Sequence, residues 1–173
     1  LQPVETIEIR VERSEQLFET LDPFPFRSRD LSRDADEYMF DRAREATDAV
    51  NIVVFLSVAD EDIAQDLHSA FSSYFSQKAE RISKEIGDLF SYGRRSLLLG
   101  IAVLLIGFLS GQTVSATMPS SYFTQSLEEG LIIVGWVANW KPIEIFLYDW
   151  WPLVQKRRTY LKLARAKVDA ILL

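Results

Sequence analysis

Lys141 and Glu144 are the residues whose type and spacing point most directly to chemistry. They interrupt an otherwise apolar stretch, EEGLIIVGWVANWKPIEIFLYDWWPLV (128–154), and a spacing of three puts them on one helical face, close enough to pair. A charge inside a bilayer costs about 2.5–3.5 kcal/mol on insertion scales, so such a pair faces a partner, a cavity or the interface. The functional reading is an ion or proton path, with Asn139 and Tyr148 as neighbouring polar groups. Two structural readings stand beside it. The pair is a staple between helices, or the crossing ends near Trp140, with Lys141 reaching outward and residues 142–151 lying along the interface. Residues 130–140 alone are too short to cross, so a crossing that extends to about Leu153 is expected.

Other chemistry is sparse. Without cysteine the chain has no disulfide, thiolate metal site or cysteine nucleophile, and His68, its single histidine, has no partner for a zinc motif and reads as a surface or interface residue. Asp30, Asp34, Asp36 and Glu37, and then Asp60, Glu61 and Asp62, offer oxygen ligands to a divalent cation, but neither group follows the EF-hand pattern. Both sit where first helical turns are expected, and acids at a helix start are the preferred reading. Arg27, Arg29 and Arg33 flank the break at Pro23 and Pro25; they offer a phosphate or acidic-partner site, or simply pair with the surplus acids. There is no P-loop, dinucleotide fingerprint, nucleophile elbow or nucleophile–base–oxyanion set, so an enzyme is not expected, and neither is a cofactor or metal.

The elements that must position these residues follow from charge and hydropathy. Residues 1–93 carry 20 acids and 10 bases, residues 94–173 carry 5 and 9, and the whole chain has a net charge of -6, which argues against nucleic acid as a partner. Residues 96–127 hold no formal charge, and their densest part, LLLGIAVLLIGFLSG, meets the ~20 apolar residues a membrane-crossing helix needs. Within it Gly107 and Gly111 form a Gly-x-x-x-Gly pair, with Gly100 one heptad earlier and Ser115 four residues later. Small residues so spaced let two helices approach closely, either between copies of the chain or against its own second span. All four tryptophans lie in the second apolar region, and Trp150 and Trp151 followed by Lys156, Arg157 and Arg158 mark a membrane–water boundary. Arg94 and Arg95 mark the same side, so both termini are expected in the cytoplasm of a cell inner membrane, with residues 119–126 outside.

On the soluble side, TIEIRVE alternates with period two and predicts a strand. SEQLFETL supports a short helix capped by Ser14, SRDADEYMFDRAREA a second helix, and NIVVFLSV a buried strand pairing with the first. From Asp60 to Arg95 runs a long helix with Ile63, Leu67, Phe71, Tyr74, Ile82, Ile86 and Leu89 on one side and a gap at Lys78, expected to continue into the first span and bend near Gly93. Two strands do not make a stable sheet, so completion by neighbouring protomers is expected, with the stripe as an oligomer seam or as cover for the sheet. In the last segment, Leu161, Ala164, Val168 and Ile171 form a stripe among basic residues, the pattern of an amphipathic helix suited to anionic lipid or to the acidic domain.

GWVANWKPIEIFLYDWWPL together with LDPFPFRSRDL resembles a group of small prokaryotic two-span membrane proteins. The resemblance implies the two-span architecture and a cytoplasmic N-terminal domain, and brings no activity or site residue with it. The expected fold is a membrane protein, with a small N-terminal cytoplasmic α+β domain and long helix (1–93), an α-helical transmembrane hairpin (94–155) and a basic amphipathic C-terminal helix (156–173). The expected function is a homo-oligomeric scaffold in the lipid bilayer that binds a cytoplasmic protein partner, with an oligomeric ion channel as the alternative. Without an initiator methionine, Leu1 reads as a trimmed start.

Overall fold

The alternation in TIEIRVE produces strand β1, Glu5–Arg10, with Ile7 buried and its neighbours Thr6 and Glu8 exposed. The β-branched run VNIVVFL forms β2, Val50–Leu56, in which Val50, Ile52, Val54 and Leu56 are buried while Asn51, Val53 and Phe55 are partly exposed. Between them lies helix α1, Arg33–Glu45, capped where the Ala35 N–H donates to the Ser32 hydroxyl, with Asp34 and Asp36 at its positive end. A strand–helix–strand order makes a parallel pair, and the register sets Ile7 beside Ile52 and Ile9 beside Val54. This computed structural model describes residues 5–11, 13, 16–19, 30–47, 49–57, 66–117 and 122–172.

Helix α2, Leu67–Thr117, has 51 residues and is about 75 Å long. It continues through Gly93 without a break. Its early stripe of Leu67, Ala70, Phe71, Tyr74, Phe75, Ala79 and Ile82 is buried in the core of its unit, where Phe71 packs near Phe18 and Phe75 stacks on Tyr160. Helix α3, Tyr122–Glu144, runs through Pro142 into a π-helical turn, Ile145–Asp149, and then into helix α4, Trp150–Ala164. Among the described residues, α2 and the α3–α4 rod are each long and apolar enough to cross a membrane.

The C-terminal segment departs from expectation. The helix ends at Ala164, and Lys167–Leu172 forms β3, which pairs parallel with β2 in the register Ile52 to Val168 and Val54 to Ala170. The carbonyl of Ala164 accepts the Ser72 hydroxyl at 3.0 Å, and the chain then turns into a ladder that uses the backbone groups a helix would have kept. The described sheet therefore has the order β1-β2-β3, and its third strand comes from the same chain, not from a neighbouring protomer.

Two compact units result, Leu1–Ser83 with Gln155–Leu173, and Lys84–Val154. The first boundary falls ten residues earlier than position 93, and residues 156–173 belong to the N-terminal unit instead of standing alone. Of the short helix expected over SEQLFETL, the described residues show a 3-10 position at Gln16, whose N–H donates to the Arg13 carbonyl at 3.1 Å. Leu17 and Glu19 exchange backbone hydrogen bonds with Ser32 and Asp30, and Phe18 bridges Leu31, which leaves those groups unavailable to a helix. Ser14, Pro23, Pro25, Arg27, Arg29, Asp60, Glu61, Asp62 and Ile63 lie outside the described residues.

A chain truncated after Ala166 tests the role of β3. Amide exchange across β2 should rise toward unprotected rates while amides of residues 84–117 keep their protection; unchanged exchange in β2 would remove β3 from the core.

Candidate functional site

In the unit Lys84–Val154, the first apolar helix buries glycines. Gly93, Gly100, Gly107 and Gly111 are buried, while Leu98, Leu99, Leu105, Ile106, Phe108 and Leu109 point outward. None of the described residues has a positive φ, so these glycines are needed for room and not for backbone freedom. A β-carbon at Gly107 would stand 2.9 Å from the Leu131 carbonyl, and one at Gly100 would stand 2.6 Å from Oδ1 of Asn139 and 3.0 Å from the Ala138 carbonyl. Ala138 is the residue four before Pro142, whose missing N–H leaves that carbonyl without its intrahelical donor. Gly135, which the sequence reading passed over, faces Leu104 in the same way, with a β-carbon 2.9 Å from the Leu104 Cα. The small residues thus pack α2 on α3 of the same chain. Ser115 belongs to the last turn of α2, and its side chain lies outside the described residues.

The polar residues of α3 divide. Asn139 is buried and donates from Nδ2 to the Gly135 carbonyl at 2.8 Å, whereas Tyr148 in the π turn is exposed. Lys141 is exposed and bridges two carboxylates, Glu144 at 3.2 Å and Asp149 at 2.9 Å. Asp149 was not singled out as a partner because its spacing of eight from Lys141 has no regular α-helical neighbour rule behind it; the π turn between them supplies the approach. The glycine juxtapositions set an antiparallel register, Gly100 beside Asn139, Leu104 beside Gly135 and Gly107 beside Leu131. By that register Glu144 comes level with Arg94 and Arg95, and Lys141 about one turn deeper. The charges therefore gather at one end of the apolar segment.

A second polar cluster lies in the sheet-bearing unit, around Asp36, which the sequence offers as a helix-start acid or a cation ligand. Asp36, on the buried face of α1, accepts through Oδ2 from the Lys78 ammonium of α2 at 2.9 Å and from the Tyr160 hydroxyl of α4 at 3.3 Å. Lys78 also lies over the rings of Tyr74 and Tyr160, at 5.3 and 5.8 Å from their centroids. Burial first, and then the Asp36 charge, push the Tyr160 hydroxyl up to about 12, and the same two causes raise Tyr74. Oδ1 of Asp36 is buried with no hydrogen-bond partner among the described residues. The gap in the α2 stripe at Lys78 was the visible signal of this cluster: a cation on an apolar face needs a carboxylate opposite. Nearby, the Lys162 ammonium donates to the Ala43 and Ala46 carbonyls at 2.9 and 2.6 Å, closing the C-terminal end of α1.

Neither cluster carries a nucleophile beside a base, and the described residues hold no group of three side chains suited to a metal ion. His68 is exposed on the first turn of α2, and Arg33 opens α1. The Asp36 cluster ties α1, α2 and α4 together, whereas Lys141, Glu144 and Asp149 pair along one rod across its π turn. Among known proteins, the chain matches no family model, no curated protein and no solved structure.

Two substitution series test these arrangements. Gly100→Val and Gly107→Val should separate α2 from α3 and cost about 1–3 kcal/mol each. Gly87→Ala and Gly130→Ala, which meet nothing within 4 Å among the described residues, should be neutral or stabilising in thermal melts of purified protein. Asp36→Asn should lose about 1–3 kcal/mol by leaving Lys78 without its carboxylate. It should also move the phenolate titration of Tyr160 down from about 12 toward the ordinary 10.0. In the wild type the raised folded-state value makes this contribution complete below about 10 and lost as pH rises to about 12; an Asp36→Asn phenolate curve that overlays the wild type would discard the Asp36 charge as a cause.

Proposed function

We propose that the chain is a two-span protein of a prokaryotic inner membrane, with both ends cytoplasmic, that forms a homo-oligomeric scaffold and presents its sheet-bearing unit to a protein partner. The observation that carries this reading is the shared sheet. β2 precedes the first apolar segment, β3 follows the second, and the two strands are hydrogen-bonded neighbours. Paired strands occupy one aqueous compartment, so the chain between them crosses an even number of times, and two apolar helices supply two crossings. The outward side chains support it further: Leu98, Ile106, Ile133, Trp136, Val137 and Trp140 are each at least 60% exposed, a surface that water penalises and lipid accepts. Cations at residues 94–95 and 156–158 favour the cytoplasmic side for both ends.

The partner surface in this reading is the second face of the sheet. Parallel sheets are ordinarily covered on both faces. Here Asn51, Val53 and Phe55 are partly exposed, and their lateral neighbours in register are Thr6 and Lys167, Glu8 and Asp169, and Arg10 and Ile171. The channel alternative draws on Lys141 and Glu144, and their mutual pairing with Asp149 at one end of the apolar segment gives it no added support.

The natural absence of cysteine makes single-cysteine labelling direct. With a membrane-impermeant maleimide on intact cells, Gln125→Cys should react from outside, while Ser69→Cys and Arg165→Cys should react only after the cells are opened. Reaction of the latter two from opposite sides would end the two-span reading. Native mass spectrometry in nanodiscs should show more than one copy, and a monomer would reduce the scaffold to a single anchored module.

A further inference from the structure

The geometry points to a binding site for anionic phospholipid headgroups on the first half of α4, formed by Lys156, Arg157 and Arg158. This inference rests on the two-span reading. It starts from how α4 divides its cations. Lys162 is consumed inside the sheet-bearing unit by the carbonyls of Ala43 and Ala46, and the face with Thr159, Tyr160, Leu163 and Ala164 is buried there. These attachments fix the helix, so its upstream cations are held in place and do not sweep the surface as a loose tail would. Lys156 and Arg158 are exposed and Arg157 is half-buried.

None of the three forms an ion pair among the described residues, although the chain has an excess of acids, 25 against 19 bases. Lys78, Lys141 and Lys167, by contrast, each find a carboxylate at 2.9 Å. Arg157 is partly exposed and, with its Nε buried and without a hydrogen-bond partner among the described residues, has no protein acceptor at that nitrogen. A guanidinium presents Nε and a terminal nitrogen side by side, and two oxygens of one phosphate match that fork. Here Nε itself is closed to solvent, so a phosphate meets only the terminal end of the partly exposed Arg157, beside the exposed Lys156 and Arg158.

Position selects a lipid phosphate over a free one. Trp150 donates its indole N–H to the Phe146 carbonyl at 2.9 Å, and Trp151 stands against it with ring centroids 5.6 Å apart, an aromatic pair of the kind that sits at the edge of the hydrocarbon layer. Arg157 lies six residues beyond Trp151, about 9 Å along the helix axis. The headgroup layer is about 5–8 Å deep, within reach of these long side chains. Arg94 and Arg95, directly before the uncharged segment that starts at residue 96, likewise form no ion pair among the described residues.

The test uses the full chain in nanodiscs of phosphatidylcholine doped with a minor share of phosphatidylglycerol. Lipids that stay with the protein on gentle release are identified by native mass spectrometry. Phosphatidylglycerol should be enriched about tenfold over its share, should fall away as salt is raised, and should survive excess inorganic phosphate. Replacing Lys156, Arg157 and Arg158 together by Gln should bring it back toward its share, and Arg157→Lys should keep part of it. Retained phosphatidylglycerol at its bulk share in the wild type, enrichment untouched by the triple variant, or displacement by inorganic phosphate would each overturn the lipid assignment. If the triple variant does not insert, the wild-type enrichment and its salt dependence decide alone. A wild-type chain that enters nanodiscs of both lipids without enrichment sinks this site only, whereas one that enters neither sinks the two-span reading with it.

Discussion

The pairing of β2 with β3 is the constraint on which the remaining structure depends. Asn51 is in register with Lys167, and everything between them, including both apolar helices, is the connection between two adjacent parallel strands. Parallel strands always require a crossover, usually one helix long. Here the crossover contains a second compact unit. Closing so long a connection costs only slowly growing chain entropy, about 0.6 kcal/mol for each doubling of length, and less when the inserted segment folds by itself. The contacts that close it are nevertheless among the most distant in the sequence.

Polar ties then fix the helices that this topology brings to one core. Asp36, Lys78 and Tyr160 join α1, α2 and α4, and Lys162 returns from α4 to the end of α1. The Asp36 side chain is 13% exposed, so its carboxylate has little water to fall back on, and removal of Lys78 leaves a largely buried charge. The Lys167–Asp169 pair, 70% and 47% exposed, has the same length and much less weight, because water screens it and competes for both groups. Equal distances in this protein do not mean equal energies. Burial decides which pair holds an element and which merely accompanies one.

Much of this was legible in residue order. β1 and β2 follow from period-two alternation and β-branching, α1 from Ser32 and its acidic first turn, and the apolar helices from hydropathy alone. β3 was not legible, for a definite reason. Leu161, Ala164, Val168 and Ile171 recur at three- and four-residue steps, and neither glycine nor proline marks the change at Arg165. Leu161 and Ala164 stay in α4, while Val168 and Ile171 serve a strand once β2 offers a free edge, and only tertiary pairing distinguishes the two. Lys78 is the opposite case. Its break in an apolar stripe announced a buried partner, but that the partner is Asp36, 42 residues earlier, depends on how α1 docks. The Lys141 pair was legible, whereas its third member, Asp149, required the π turn.

The apolar unit separates two tasks that a soluble core combines. Inside a soluble domain the same leucines both escape water and interlock. In the first apolar helix the buried positions are glycines, and the large side chains face away from its helical neighbour. In the membrane setting proposed for this unit, lipid tails are as apolar as leucine, so burying leucine between two helices gains little, while close backbone approach gains dispersion and lets Cα–H groups meet carbonyl oxygens. Gly100 has two such oxygens to face, Ala138 O and Asn139 Oδ1, and Pro142 is the reason the first of them lacks an N–H donor. The Gly-x-x-x-Gly spacing, taken alone, is equally suited to joining two copies. Once Gly107 is set against Leu131 of its own chain, an oligomer must use the outward leucines, isoleucines and tryptophans, or the open face of the sheet. The self-association proposed for this chain then depends on surfaces with no small-residue signature, and the glycine spacing that first draws attention to this helix describes how the hairpin closes on itself.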